Sequence, residues 1–267
     1  LNALRRDVLK KLEDSAIKHS IRVSEELKLK NVQKEVSILK PKTKKISLLL
    51  NTLNLDFDYN DLQDVERVYI TSKFITYIYM PTITTTNYKN IFMNSISLAL
   101  SKYQIKGFVI SNLAGFTILK EFKKDYDFIG NYTLNVFNDY TASELNNLGL
   151  STITLSPELN KTDIENICNG INSEMIVYGN TPLMNIKYCL LGTSNQCYPE
   201  CSNRCNSSHK YYLKDRMGFS MRVIPDNIQT ITTIYNAKTT SLACSDLNID
   251  FARIDIIDED ISTINNI

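Results

Sequence analysis

The sequence predicts an α/β protein folded as a (β/α)8 barrel of the TIM type, regular or irregular, with a cysteine-rich excursion after a late strand and an amino-terminal helix. Eight short runs are apolar on both faces, which is typical of strands in a parallel sheet that is covered on both sides. Stretches with helical periodicity separate several of these runs. A chain of 267 residues is also long enough for one barrel with its own core.

The amino-terminal part of the chain is predicted to form a helix and a linker that precede the barrel. Apolar side chains recur at helical spacing over residues 1–19, with charged side chains on the other face. The Lys-rich stretch 28–45 contains Pro41, which favours a linker. We therefore divide the chain into a helix with a basic linker, 1–45, and a barrel domain, 46–267.

Charge is distributed unevenly between these two parts. Residues 1–45 carry 13 Lys and Arg against 6 Asp and Glu, whereas the remainder carries 17 against 23. A basic segment of this kind attracts RNA or another acidic surface, or it is simply a solvated helix and linker. RNA is therefore a candidate partner, although the sequence pI of about 7.7 gives nucleic-acid binding little support.

The composition of the chain and its first residues bear on its partners and its cellular location. No apolar run approaches eighteen residues, so a membrane is not an expected partner. The chain begins Leu-Asn-Ala-Leu-Arg-Arg, which we interpret as a fragment whose partner is the amino-terminal remainder of the same protein. Six cysteines are too few for a disulfide scaffold, so we expect reduced thiols and a cytoplasmic location.

The eight predicted strands follow the linker in order. They run over Ile46–Asn51, Arg67–Thr71, Ile75–Met80, Gly107–Ser111, Phe128–Phe137, Thr152–Leu155, Met175–Tyr178 and Phe251–Ile257. The helices predicted between them run over Asn87–Tyr103, Leu113–Phe122, Thr141–Leu148 and Thr162–Cys168. Thr141 and Thr162 are the expected N-caps of the last two helices. In barrels of this kind, the loops after the carboxyl ends of the strands carry the function.

The longest of these loops precedes the last strand, and we treat residues 180–236 as a cysteine-rich subdomain within it. Four of the six cysteines lie there within seventeen positions: Cys189, Cys197, Cys201 and Cys205. Four thiolates can hold a [4Fe–4S] cluster or, as an alternative, zinc, and free or disulfide-paired thiols are the third interpretation. Cys168 and Cys244 are interpreted as small core residues.

Few other residues indicate catalysis. His209 borders the cysteines and is a candidate ligand or general base. A hairpin is predicted next, and Asp215 and Arg216 are expected to form an ion pair that fixes its turn. Glu158 and Asp255 lie near strand ends, where they bind substrate or cap helices.

Several motifs together resemble the collagenase-like peptidases of unassigned catalytic type, peptidase family U32. The motifs are YGNTPLMNIKYC from Tyr178, YYLKDRMG from Tyr211, IYNA from Ile234, SPELN from Ser156, and LNALRR at the start. The resemblance covers most of the chain and is most specific over residues 174–236. It implies a barrel fold, similar to the carboxy-terminal barrel of the longer members.

The resemblance also implies two competing functions. Some members are collagen-degrading peptidases, and others are RNA-base or ubiquinone-pathway hydroxylation factors with a [4Fe–4S] cluster on four cysteines. The fourth of those cysteines precedes a Tyr-Asn pair, here Tyr235 and Asn236, and residues 227–230 contain none. Because four thiolates are visible and no proteolytic constellation is, the expectation is cluster-dependent RNA base hydroxylation. The alternatives are a peptidase with catalytic residues partly outside this chain, and a non-catalytic partner-binding barrel.

Overall fold

The structure, a computed structural model, describes residues 2–20, 44–50, 65–70, 77–168, 170–192, 197, 209–226, 228–243 and 246–267. The chain divides into two compact units, Leu1–Leu39 and Lys40–Ile267. The first unit contains α1 (Asn2–Ser20), which confirms the predicted helix. Several apolar side chains of α1 are exposed, among them Val8, Leu9 and Leu12.

The second unit is built on thirteen described strands. In chain order these are β1 (Lys45–Leu50), β2 (Val65–Ile70), β3 (Tyr77–Tyr79), β4 (Gly107–Ile110), β5 (Asp127–Gly130), β6 (Thr152–Thr154), β7 (Asn172–Gly179), β8 (Pro182–Ile186), β9 (Tyr211–Lys214), β10 (Ser220–Asp226), β11 (Ile231–Tyr235), β12 (Thr240–Ser241) and β13 (Phe251–Ile256). Strands β1 to β7 pair in sequence order, all in parallel. Strand β13 then pairs in parallel with both β7 and β1 and closes the ring. The predicted eight-stranded barrel is therefore confirmed.

Helices follow the barrel strands β3, β4, β5, β6 and β13, in this order: α2 (Lys89–Lys102), α3 (Leu113–Leu119), α4 (Asp139–Leu148), α5 (Lys161–Ile167) and α6 (Ile261–Asn265). The side chains of Asn138 and Asn160 cap α4 and α5 by accepting backbone N–H groups. The expected caps Thr141 and Thr162 are wrong, because each asparagine supplies its acceptor two or three residues earlier. Within the part of the chain that is described, no helix is long and apolar enough to cross a membrane.

The fifth strand is much shorter than the sequence predicts. The prediction extended it over Phe128–Phe137, but β5 ends at Gly130 and a 3-10 turn follows over Tyr132–Leu134. Asn135 closes that turn in the left-handed conformation, at φ 57°. The correction matters for the site, because the turn places Tyr132 over the end of the barrel.

The barrel strands alternate between two environments. One set of side chains points outward into the main core, which strand residues such as Leu48, Ile153 and Ile254 share with helix residues such as Leu145 and Ile164. The inward set includes an apolar group made of Leu49, Tyr69, Tyr77, Val109 and Ile129. Since successive residues of a strand face opposite sides, a polar residue between two outward-facing residues lies inside the barrel.

The excursion between β7 and β13 forms its own antiparallel sheet, in the order β8-β11-β10-β9, which we call the excursion sheet. Strands β9 and β10 form the predicted hairpin, with Tyr211 opposite Val223. Asp215 fixes the hairpin turn, but it does so by accepting the backbone N–H groups of Met217 and Phe219. An ion pair with Arg216 is not among the contacts that the structure describes at this turn, so that expectation is wrong.

Candidate active site

Three charged side chains meet inside the barrel. Side chains of β13 alternate between the two faces of the strand, so Arg253 and Asp255 point inward. The alternate residues Ala252, Ile254 and Ile256 pack in the main core. Glu174 comes from β7, the parallel neighbour of β13. Arg253 and Glu174 are fully buried, and Asp255 is 6 % exposed. Charges buried this deeply must be paired, because their loss of hydration is costly.

Arg253 is the centre of this network. Its Nε donates to Asp255 Oδ1 at 2.6 Å and its Nη2 donates to Asp255 Oδ2 at 3.0 Å, which makes a bidentate pair. Its Nη1 donates to Asn131 Oδ1 at 2.8 Å and lies 3.7 Å from Glu174 Oε1. Three aromatic rings, with centroids 5.7–5.9 Å from the guanidinium carbon, surround it: Tyr69, Tyr79 and Tyr132. The guanidinium is therefore fixed from several directions.

Glu174 is held by hydroxyl groups as well as by Arg253. Tyr69 donates to its Oε2 at 2.7 Å, and Ser47 donates to the same oxygen. Thr154 donates to Oε1 at 2.7 Å. Both oxygens of this buried carboxylate are therefore paired with hydroxyl donors.

Of the two buried carboxylates, Asp255 has fewer donor residues to offset its loss of hydration. One guanidinium faces two carboxylates, and Glu174 also has three hydroxyl donors. Burial raises the pKa of Asp255; Arg253 opposes this increase and Glu174 reinforces it. Burial alone would lower the pKa of Arg253, but the two carboxylates outweigh burial and the pKa is raised. The raised pKa makes Asp255 a candidate for proton transfer.

Tyrosine hydroxyl groups lie beside this carboxylate. Asn131 Nδ2 donates to the hydroxyl of Tyr79 at 2.7 Å. Burial raises the pKa of Tyr132 and of Tyr235, and Tyr79 and Asp255 raise both further. The two phenols are consequently neutral hydrogen-bond donors at physiological pH.

A cavity of about 200 Å³, which we call the mouth cavity, lies between the barrel and the excursion sheet. On the barrel side it is lined by Leu49, Leu50, Tyr79, Pro81, Thr82, Ile83, Tyr132 and Asp255. On the side of the excursion sheet it is lined by Pro182, Asn185, Asp226, Gln229, Ile231, Thr233 and Tyr235. The cavity thus occupies the carboxyl ends of the barrel strands, where the active sites of such barrels lie.

Two polar contacts fasten the excursion sheet to the barrel around this cavity. Arg222 of β10 pairs with Asp258, just beyond β13, with Nε 2.6 Å from Oδ2. Gln229 Nε2 donates to the carbonyl of Ile83, in the loop after β3, at 3.0 Å. The excursion sheet therefore covers the cavity as an attached layer.

Gly179 allows β7 to approach Asp255 closely. A Cβ at this position would lie 2.6 Å from Asp255 O and 2.8 Å from Asp255 Cβ. Its φ of 135° is also one that side chains rarely adopt. Only glycine satisfies both conditions without moving the carboxylate.

The four predicted metal ligands are only partly described. Gly192 N donates to Cys189 O at 3.1 Å, and Cys197 N donates to Gly192 O at 2.8 Å, so the backbone of Gly192 is hydrogen-bonded to both cysteines. Both cysteines are partly exposed. Cys201 and Cys205 lie outside the described residues, and so does Cys244. Cys168 packs in the main core, as predicted.

The remaining predicted site residues lie in different places. Tyr235 lines the mouth cavity, and Asn236 next to it accepts the N–H of Lys238 through Oδ1. Glu158 is exposed in the loop after β6 and is not a lining residue. His209 is exposed and stacks on Tyr211, with ring centroids 6.2 Å apart. Asp215 and Arg216 belong to the hairpin turn, away from the cavity lining.

Sequence reasoning proposed Asp255 but missed the partners that give it a chemical role: Asn131, Glu174 and Arg253. One signal was available, since FARIDI places Arg253 and Asp255 two residues apart in an otherwise apolar strand. Glu174 lies within β7 and Asn131 directly follows β5, and only the closed barrel brings them to Arg253.

Comparison with known proteins gives three findings. The sequence matches the family profile described as Peptidase family U32 over residues 15–250, which is most of the chain. No curated protein sequence matches. A solved structure described as that of the U32 peptidase Mk0906 aligns with 84% of this chain and 98% of its own, at 12% identity and a TM-score of 0.46. On the extent of the family match, the chain belongs to peptidase family U32.

Proposed function

We propose that this barrel is a peptidase that hydrolyses small peptide substrates in the mouth cavity, with Asp255 as general base and general acid. The observation that carries this proposal is the position of Asp255, which lines the cavity and also belongs to the buried network. Membership of a peptidase family is in keeping with it.

The cavity offers the groups that hydrolysis of an amide requires. The ionised Asp255 takes a proton from water as the water oxygen adds to the carbonyl carbon. The hydroxyl group of Tyr132 is a neutral donor for the oxyanion that forms. Asp255 then returns the proton to the leaving nitrogen as the C–N bond breaks, which regenerates the carboxylate.

The environment of Asp255 suits both proton transfers. A carboxylate with an ordinary pKa is a weak base near neutral pH, and burial corrects this by raising the pKa. Arg253 holds both oxygens of Asp255 and thereby orients the carboxylate. The volume of about 200 Å³ is below the roughly 300 Å³ of sites for drug-sized ligands, so a single residue of a peptide fits better than a folded protein.

The test is hydrolysis of a mixture of short synthetic peptides, with products identified by mass spectrometry. We expect Asp255→Asn to lower kcat by about 10²–10⁴-fold. Glu158→Gln is the matched control, because Glu158 is an exposed carboxylate after a barrel strand that does not line the cavity. Equal losses in the two variants would refute the role of Asp255. No cleavage of any peptide would favour the non-catalytic partner-binding barrel.

The pair Cys189 and Cys197 supports a second candidate function, cluster-dependent hydroxylation of RNA bases. The supporting observation is the pair of hydrogen bonds that links Cys189 and Cys197 through Gly192. Partly exposed thiols suit soft metals, so a [4Fe–4S] cluster or zinc would be held by these two residues with Cys201 and Cys205. This candidate includes RNA and the amino-terminal remainder of the protein as partners and a cytoplasmic location.

Metal analysis after anaerobic purification tests this second candidate. A cluster would give roughly four irons per chain and visible absorbance, and both should be lost in Cys189→Ser with Cys197→Ser. One zinc per chain without colour would identify the alternative. Protein without either metal after reconstitution would refute the candidate.

A further inference from the structure

We propose that the mouth cavity contains a cation subsite on the side of the excursion sheet, where Asp226 and Gln229 receive an alkylammonium or guanidinium group. This inference rests on the function proposed above, because it names the substrate class of the same cavity.

The charge of the cavity lining favours a cation. Two carboxylates line the cavity, Asp226 and Asp255, and none of its described lining residues is Lys, Arg or His. The charge of Asp255 is compensated by its bidentate pair with Arg253, so Asp226 is the carboxylate of the lining that a ligand cation would meet. Arg253 is fully buried, and its N–H groups are directed to Asp255 and Asn131. An anionic ligand would be repelled by Asp226, whereas a cation would be attracted by it.

Gln229 supplies an independent indication that the ligand is a donor. The residue is 1 % exposed, and its Nε2 donates to Ile83 O at 3.0 Å and to Asp226 Oδ2 at 3.3 Å. Because both partners are acceptors, the amide cannot be turned around. Its Oε1 has no hydrogen-bond partner among the described residues. A buried acceptor of this kind is costly when unpaired, and an N–H group of a ligand would pair it.

Asp226 has capacity for the same ligand. Its Oδ1 accepts the backbone N–H groups of Ile228 at 2.8 Å and Gln229 at 3.1 Å. Among the residues that the structure describes, its Oδ2 accepts only the longer bond from Gln229, so it can accept a donor from a ligand. Asp255 remains with Arg253 on the barrel side, where the proposed reaction takes place. The two carboxylates therefore divide binding and proton transfer between them.

The shape and the aromatic lining suit a cation on a short apolar stem. Tyr79, Tyr132 and Tyr235 line the cavity, and aromatic faces attract cations while covering an aliphatic chain. A volume of about 200 Å³ fits a butyl-sized stem with a cationic head. The side chains of lysine and arginine have this form, and so do small free diamines.

The test measures binding of simple probes to the whole chain by titration in ligand-observed NMR. The probes are n-butylamine and n-butylguanidine, with n-butanol and butyrate as uncharged and anionic controls of similar size. We expect the two cations to bind at least about tenfold more tightly than either control. Butanol or butyrate binding as tightly as butylamine would overturn the inference on the unmodified protein alone.

A variant pair locates the subsite. Asp226→Asn keeps an oxygen that can accept the backbone N–H groups but loses the charge, so butylamine should bind on the order of tenfold to a hundredfold more weakly. Asp215→Asn is the matched control, because Asp215 also accepts two backbone N–H groups in a turn of the excursion sheet but does not line the cavity. Equal affinity in the two variants would overturn the assignment to Asp226.

Two further ligands separate the sources of the cation. If N-acetyl-lysine amide binds more tightly than N-acetyl-norleucine amide, the natural cation is a peptide side chain. If butylamine binds but the protein shows no preference between these two amides, the natural cation is a free amine. Either result supports the subsite. If cations bind but no peptide is cleaved, the peptidase proposal fails and the subsite stands. If peptides are cleaved while cations do not bind, the subsite alone fails.

Discussion

Removal of the charge of Arg253 should destabilise the barrel strongly at neutral pH. In Arg253→Met the side chain keeps a similar length, but Asp255 loses both of its guanidinium hydrogen bonds. Glu174 loses a cation whose Nη1 lies 3.7 Å away, and Asn131 Oδ1 loses a donor. The two carboxylates would then share a buried interior without a cation.

The size of the effect follows from the burial of these groups. The side chains of Arg253 and Glu174 are 0 % exposed and that of Asp255 is 9 % exposed, so water compensates little. Removing one partner of a buried ion pair costs about 3–5 kcal/mol, which is a large part of the roughly 5–15 kcal/mol that holds a typical domain folded. At acidic pH the carboxylates that have lost their cation should become protonated, which reduces the loss of stability.

The assay is urea denaturation followed by circular dichroism at pH 7 and pH 5, for the wild type, Arg253→Met, and Arg253→Met combined with Asp255→Asn. The double variant removes one stranded carboxylate, so it should be more stable than the single variant at pH 7. The difference between the single variant and the wild type should become smaller at pH 5.

Arg67→Met is the matched control. Arg67 also lies on a barrel strand, but its Nη1 donates to the neutral hydroxyl of Thr152 at 3.2 Å and its guanidinium carbon lies 3.6 Å from the ring centroid of Phe251. Losing a bond of this kind costs about 0.5–1.5 kcal/mol. Equal losses for the two arginines, or a double variant no more stable than Arg253→Met, would refute the idea that buried carboxylates need this cation.

Three further predictions concern the same region. Because burial raises the pKa of Asp255 above its ordinary value of 3.8, the folded state binds that proton more tightly than the unfolded state does. The contribution of Asp255 to the free energy of unfolding should therefore fall as the pH rises from about 3.8 through the folded-state pKa. In urea denaturation at a series of pH values, Asp255→Asn should flatten this part of the plot of unfolding free energy against pH. Parallel plots for the wild type and the variant would contradict the raised pKa. Gly179→Ala should cost about 2–5 kcal/mol in urea denaturation because its Cβ meets Asp255, whereas Gly170→Ala, with φ 94° and open space, should cost only about 1–2 kcal/mol. Arg222→Met should remove the ion pair with Asp258 and speed hydrogen exchange in β10 and β11 but not in β4 and β5, and unchanged exchange in β10 would show that the pair does not fasten the sheet.

The barrel strands were predictable because their environment is uniform along each run. Gly107–Ile110 is buried at every position, so a short apolar run is enough to identify a strand covered on both faces. Residues 131–137 misled the prediction for the same reason, since they are also rich in apolar and aromatic residues. Those residues instead form a 3-10 turn that the left-handed Asn135 closes, and propensity alone does not reveal it.

The candidate site was harder to predict because its residues come from distant strands. Arg253 and Asp255 are adjacent on one face of β13, but the need for Glu174 arises only when β13 lies beside β7. The cavity itself depends on the excursion sheet folding back over the barrel, which Arg222 and Gln229 secure through Asp258 and Ile83. These contacts are tertiary, and no local pattern in the sequence indicates them.

The insertion of the excursion between β7 and β13 has a consequence for how the molecule folds. Strands β1 to β7 can associate in the order in which they are synthesised, but the ring stays open until β13 enters between β7 and β1. Until then Glu174 faces water, and no guanidinium is present to replace its hydration. The ring must therefore close at the same time as its interior loses water and its buried charges pair. Because these contacts join segments far apart in the chain, we expect this folding step to be slow. The last event of folding is then also the event that brings Arg253 and Asp255 beside Glu174, so the buried charge network exists only in the closed barrel.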